Sequence, residues 1–109
     1  MSTVKRPPTA AVFRAVADPT RRAILDLLLD GERTVGEIAE RFAVSRPAVS
    51  KHLRVLRGAR LVRARREGRR RVCVLEPEPL RAVDAWLEGY RREWQGRLAR
   101  LKRHIESDN

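Results

Sequence analysis

Apolar residues recur at helical spacing in four stretches before residue 60 and in one long stretch after residue 79. The first predicts a helix that Thr9 would cap, with Val12, Phe13 and Val16 on one face. Asp18-Pro19 restarts the chain, Asp as N-cap and Pro at the first helical position, where its missing N–H costs nothing. The helix that follows buries Ile24, Leu25 and Leu28 and stops at Asp30-Gly31. Thr34 and Glu37 then form a capping-box pair, opening a short helix over 35–42 with Ile38, Ala39 and Phe42 inward. Three residues, Ala43, Val44 and Ser45, separate it from a longer helix over 46–57. Ser45 caps that helix, its inward stripe is Val49, Leu53 and Leu56, and Gly58 is expected to end it.

Two β-rich runs follow, 61–66 and 70–75, joined through Glu67-Gly68-Arg69, which predicts a hairpin. Val62, Ala64, Val72, Val74 and Leu75 are its packing residues. Past Pro77 and Pro79 a final helix is predicted over 78–106. Along it Leu80, Val83, Leu87, Tyr90, Trp94, Leu98, Leu101 and Ile105 repeat at spacings of three and four. A seam of about seven turns is longer than a domain this small can cover, so it calls for a partner, most simply a second copy.

Short helix, three-residue turn, capped longer helix and hairpin make a helix-turn-helix with a wing. The fold class expected is mainly α with a small β-hairpin, in the order α-α-α-α-β-β-α. A basic arm, predicted flexible, occupies 1–8. The domain occupies 9–106, with the helix-turn-helix at 34–58, the wing at 61–75 and the pairing helix at 78–106.

Charge narrows the class of partner. The 109 residues carry 25 Lys and Arg against 14 Asp and Glu, a net +11. Between residues 45 and 71 there are eleven basic residues and one acid, Glu67, so +10 of that excess lies in one segment. Such a one-sided block repels itself unless a polyanion neutralises it. All five aromatics lie outside the segment, which removes the stacking platforms that single-strand and RNA readers use and points to duplex DNA. The expected DNA contacts are Ser45, Arg46, Pro47, Ser50, Lys51, His52 and Arg54 on the longer helix, with Arg65, Arg66, Arg69 and Arg70 on the wing. Arg46, Ser50, Lys51 and His52 would choose bases, and the wing arginines would hold the backbone or the minor groove. The contacts expected with a second copy along the seam are Leu87, Tyr90, Trp94, Leu98 and Leu101.

Other chemistries find no residues. No Ser/His/acid order, Gly-rich phosphate loop, paired His or carboxylate cluster is present, so no enzyme, no catalytic residue and no cofactor are expected. The single Cys allows no disulfide within the chain. No apolar run approaches the ~18 residues of a membrane span, and no apolar block follows the basic start, so a cytoplasmic protein is expected. Cys73 reads as a small half-buried apolar residue, His104 as a solvated residue near a helix end, and Trp86 with Trp94 as dimer core.

The stretch from about residue 15 to 77 resembles the winged helix-turn-helix repressors of the arsenic-repressor (ArsR/SmtB) family. The resemblance rests on D-P-T-R-R-x-I-L, S-R-P-A-V-S-K-H-L-R-V-L and the R-x-E-G-R wing. It implies a homodimer that is built from the first and last helices, which adds Val12 and Phe13 to the expected dimer contacts, and that represses transcription from a two-fold symmetric operator. The family's metal sensors carry Cys-x-Cys where this chain has Thr34 and Gly36. Their other site uses Asp-x-His where this chain has Asp84-Ala85-Trp86. Neither set suits a metal, and Cys73 alone cannot build a zinc site. The chain therefore resembles the metal-independent branch, with an unknown small-molecule inducer left open. Two other readings stand beside it: a thiol- or ligand-gated repressor of the same fold, and an interaction module whose last helix joins another protein.

Overall fold

A computed structural model describes residues 10–107. In order they form α1 (Ala10–Ala17), α2 (Pro19–Leu29), β1 (Arg33–Thr34), α3 (Val35–Phe42), α4 (Arg46–Gly58), β2 (Val62–Glu67), β3 (Arg70–Leu75) and α5 (Leu80–Ser107). The arm expected over 1–8 and the Thr9 cap lie outside the described residues. The helical fold with its β-hairpin is as the residue pattern predicts, with one added element. β1, two residues long, pairs antiparallel with β3, so the sheet has three strands in the order β1-β3-β2.

Three helices begin at short polar side chains that satisfy N–H groups left without helical partners. Asp18 Oδ2 accepts from the Arg21 N–H at 3.0 Å, with Pro19 next in the chain. The Thr34 N–H donates to Glu37 Oε1 at 2.8 Å, and the Glu37 N–H donates to Thr34 Oγ1 at 3.1 Å. Ser45 Oγ accepts from the Ala48 N–H at 3.2 Å. α3 ends at Ala43, whose φ of +53° is left-handed. There the Ala43 and Val44 N–H groups reach back to the Glu40 and Ala39 carbonyls, closing the tight turn into α4.

Gly58 ends α4 as its last residue, as expected, and the left-handed turn falls two residues on, at Arg60, with φ +62°. The Arg60 N–H returns to the Arg57 carbonyl and the Leu61 N–H to that of Leu56, which drops Leu61 into the core ahead of β2. The hairpin strands are 62–67 and 70–75, with Glu67 paired to Arg70 and a two-residue loop, Gly68-Arg69, between them. Gly68, at φ +65°, supplies the positive φ that such a loop needs.

The core gathers Val12 and Ala15 of α1, Ile24, Leu25 and Leu28 of α2, Ile38 and Ala39 of α3, and Val49, Leu53 and Leu56 of α4. Leu61, Val62 and Cys73 close it from below. Four expectations about packing change here. Val12, expected between two copies, is buried in this chain's own core, because α1 turns the Val12–Ala15 edge inward and leaves Phe13 exposed. Cys73 is fully buried rather than half-buried, since its side chain faces the core beneath α4. Leu61 belongs to the core, and Ala64 is exposed.

α5 stands apart. Leu80 and Val83 pack against the core, but none of its 28 residues is fully buried. The radius of gyration is 19.0 Å, where a compact chain of this length would have about 13 Å.

Candidate nucleic-acid interface

α4 carries two opposed faces. Val49, Leu53 and Leu56 lock it onto the core, which leaves Ser45, Arg46, Pro47, Ser50, Lys51 and Arg54 exposed on the other side. No carboxylate occurs between residues 45 and 66, so this face is cationic along its whole length. Ser45 and Ser50 are short, and they leave the backbone of α4 approachable from solvent.

His52 does not join that face. Its ring is half-buried, with Nδ1 lying 3.4 Å from Arg21 Nη1 and 4.0 Å from Asp18 Oδ2. It contacts the start of α2, because a residue one step round from Lys51 points toward the helix's flank. Arg21 is the hub of that contact. Its Nε donates to the Ala15 carbonyl and its Nη2 to the Arg14 carbonyl, both at 2.8 Å. One side chain thus ties the end of α1, the cap of α2 and the flank of α4 together. The cap carboxyl of Asp18 is held below the usual carboxylate range, chiefly by the Arg21 N–H.

Strand alternation sorts the wing arginines onto two faces. Arg65 shares a face with Val72, Glu67 and Arg70. Its guanidinium takes a bidentate grip on Glu32, at 2.8 and 2.9 Å, and reaches Glu67 at 2.9 Å. Arg70 donates to the other Glu67 oxygen at 2.9 Å. These hydrogen bonds hold Glu32 and Glu67 below the usual carboxylate range. Two of the four wing residues expected on DNA are therefore already engaged by acids within the chain. Arg66 and Arg69 carry no ion pair among the described residues, and neither does Arg71, which is absent from the expected contacts. Arg71 pairs with Arg66 across the strands and lies on the same face as Ala64 and Cys73. Those two residues and Arg71 border α4 through a cavity of about 20 Å³ shared with Ser50, Leu53 and Arg57. Counting outward from a two-residue loop would have found it, since that register sets which arginines face α4.

The start of α4 meets the start of α3 beneath the wing tip. Gly36 has no side chain, and the Arg46 guanidinium occupies that space: a β-carbon on Gly36 would lie 2.8 Å from Nη2. Arg46, Arg69, Arg70 and Arg71 surround a cleft of about 380 Å³ floored by Thr34, Val35 and Gly36.

On the opposite side of the molecule Phe13 stacks edge-on against Trp86, and Trp86 against Tyr90, with ring centroids 5.4 and 5.2 Å apart. Beyond them Trp94, Leu98, Leu101 and Ile105 continue in line, each more than half exposed. Leu87, also in the expected set, is half-buried.

The residues where metal-sensing relatives would bind do not fit a metal. The Thr34 hydroxyl is occupied by the α3 cap, Gly36 offers no donor, and Asp84 is paired with Arg91. Among the described residues no group of three or more His, Cys, Asp or Glu could hold an ion. Burial pushes the Cys73 thiol up, with Arg57 and Arg71 pulling weakly the other way. No helix among the described residues is long and apolar enough to cross a membrane.

Against this geometry, residues 18–64 match the family model described as bacterial regulatory protein, arsR family. Over 108 residues the chain is 45% identical to the HTH-type transcriptional regulator Rv2034 of Mycobacterium tuberculosis, covering 99% of this chain and 96% of that one. It is 51% identical over 57 residues to the transcriptional repressor SdpR of Bacillus subtilis, covering 52% of this chain and 63% of the repressor. The solved structure of the ArsR-like transcriptional regulator from Rhodococcus sp. RHA1 superposes with a TM-score of 0.71 at 36% identity, covering 90% of each chain.

Proposed function

The chain belongs to the arsR family of bacterial regulatory proteins and is a DNA-binding transcriptional regulator, and on that premise we propose how it works. It is a repressor that binds duplex DNA as a homodimer, on a two-fold symmetric operator and without a metal inducer. α5, with Phe13, joins two copies along the exposed seam of Leu87, Tyr90, Trp94, Leu98 and Leu101. The two α4 helices then enter successive major grooves about 34 Å apart. Ser45, Pro47, Ser50, Lys51 and Arg54 meet base edges and flanking phosphates, and Arg66 and Arg69 hold the neighbouring backbone.

One observation carries this reading: the outward face of α4 is wholly exposed and holds cations and small hydroxyls without a single acid. Electrostatic attraction to phosphate supplies affinity, and the side chains set close to the α4 backbone supply choice. The absence of a metal inducer is supported by the cap bond that occupies Thr34, the missing donor at Gly36 and the ion pair of Asp84.

Selection of bound fragments from a random duplex pool tests the reading, followed by salt titration on the selected site. The expected result is a two-fold symmetric consensus whose log affinity falls with log salt at a slope of about −5 or steeper. A flat salt response, or no enriched sequence, would overturn it. The deep burial of Cys73 weighs against a thiol gate, so peroxide is expected to leave DNA binding unchanged; a peroxide effect abolished by Cys73→Ser would restore that alternative. Sizing the pure protein separates self-pairing from a foreign partner on α5, since a stable dimer leaves the seam already filled.

A further inference from the structure

We propose that the cleft between α3, α4 and the wing tip is an oxyanion site that takes one phosphate-type group, either a DNA backbone phosphate or a phosphate-bearing small molecule. For its DNA source it rests on the function proposed above; for its free source it stands alone.

The cleft is a concave space of about 380 Å³ lined by four arginines and by no acidic residue. Arg70 is shared with Glu67, but Arg46, Arg69 and Arg71 have no acidic partner among the described residues. The nearby Glu37 carboxylate is turned into its hydrogen bond with the Thr34 N–H. Three uncompensated cations around one hollow repel each other, and an anion between them converts that repulsion into attraction. Guanidinium suits this task better than ammonium, because its planar fork pairs two N–H groups with two phosphate oxygens.

Arg46 belongs to the site because Gly36 permits it. With no β-carbon below, its guanidinium folds back across the first turn of α3, with Cζ 3.2 Å from where a β-carbon would stand. The left-handed Ala43 turn brings the start of α4 close enough for that reach. Arg46, expected from the sequence at base edges, therefore faces the cleft and acts on phosphate. A free phosphate-bearing molecule in the same place would compete with the duplex backbone, so the cleft doubles as an entry point for an anionic effector.

The test uses the full chain and inorganic phosphate or pyrophosphate, compared with sodium chloride at matched ionic strength and pH. If the site takes free anions, phosphate raises the melting temperature above the chloride control and weakens duplex binding several-fold more than chloride does. Arg46→Gln and Arg71→Gln should remove both effects. Gly36→Ala, which displaces only the far end of Arg46, should weaken them while the helical content stays intact. If the occupant is a DNA phosphate, Arg46→Gln lowers affinity for selected and random duplexes by the same factor and reduces the salt slope by about one. Either result supports the site and names its source. The proposal is overturned if phosphate behaves as chloride does and Arg46→Gln changes base preference without altering the salt slope. Failure of the wild-type chain to enrich any duplex sinks the repressor reading instead, and the phosphate titration on the free protein then decides the site by itself.

Discussion

Single residues decide where this chain turns. Thr34 and Glu37 satisfy each other at the start of α3, and Thr34→Ala should lower stability by about 1 kcal/mol, measured by denaturant unfolding. The Glu37 carboxyl is held below its usual range, chiefly by the Thr34 N–H. A carboxyl depressed by folding contributes stability above its unfolded pKa of about 4.3 and loses it as pH falls through the lower folded value. Asp18, Glu32 and Glu67 share that sign. Melting temperature should therefore fall as pH drops from about 5 toward about 3, and Glu37→Gln should show a smaller fall over the same range. Ala43 holds a left-handed φ that a β-branched residue tolerates poorly. Ala43→Val should accordingly cost about 1–2 kcal/mol, and an unchanged stability would mean that the turn can open without loss. The caps at Asp18, Thr34 and Ser45 were legible because donor and acceptor lie three residues apart. The hub at Arg21 was not, since its partners are backbone carbonyls of α1 and a histidine 31 positions away.

At the level of elements, helical periodicity identified every long helix and the inward stripe of α4, because burial of one face leaves a 3.6-residue signature. Gly58 marks the end of α4, but the left-handed turn beyond it falls on Arg60, where no glycine signals it. β1 was missed as well; its two residues are too few to show any period and exist as a strand only because β3 offers an edge. On the wing, composition named the arginines but could not divide them. The division follows from the Glu67–Arg70 register and from Glu32, which lies 33 residues before Arg65. Arg66→Ala should therefore reduce the salt slope of DNA binding by about one. Arg65→Ala should leave that slope almost unchanged, because Arg65 is committed to carboxylates; equal effects from the two variants, read by anisotropy titration, would show that the ion pairs break on binding.

On the scale of the whole molecule, nearly all the net charge lies on α4 and the hairpin, while most of the exposed large apolar side chains gather on α5 and Phe13. An extended helix with such a seam would be an aggregation hazard if left bare. Trp94→Ala or Leu98→Ala should shift the protein toward monomer in sedimentation and weaken operator binding in step. A monomeric variant that keeps full operator affinity would sever the link between pairing and recognition. The spacing of the seam supports the proposed pairing, because its heptad outruns what one small domain can cover. Val12 was not separable from Phe13 by spacing alone, since only the docking angle of α1 decides which of two adjacent residues turns inward.

Both tryptophans of the chain, Trp86 and Trp94, lie on that seam and none lies elsewhere. Under the proposed pairing, intrinsic fluorescence is consequently a built-in gauge of assembly. Dilution that strips one copy from another should then wet both indoles and move their emission to longer wavelength, with no dye attached and with the cationic face left untouched.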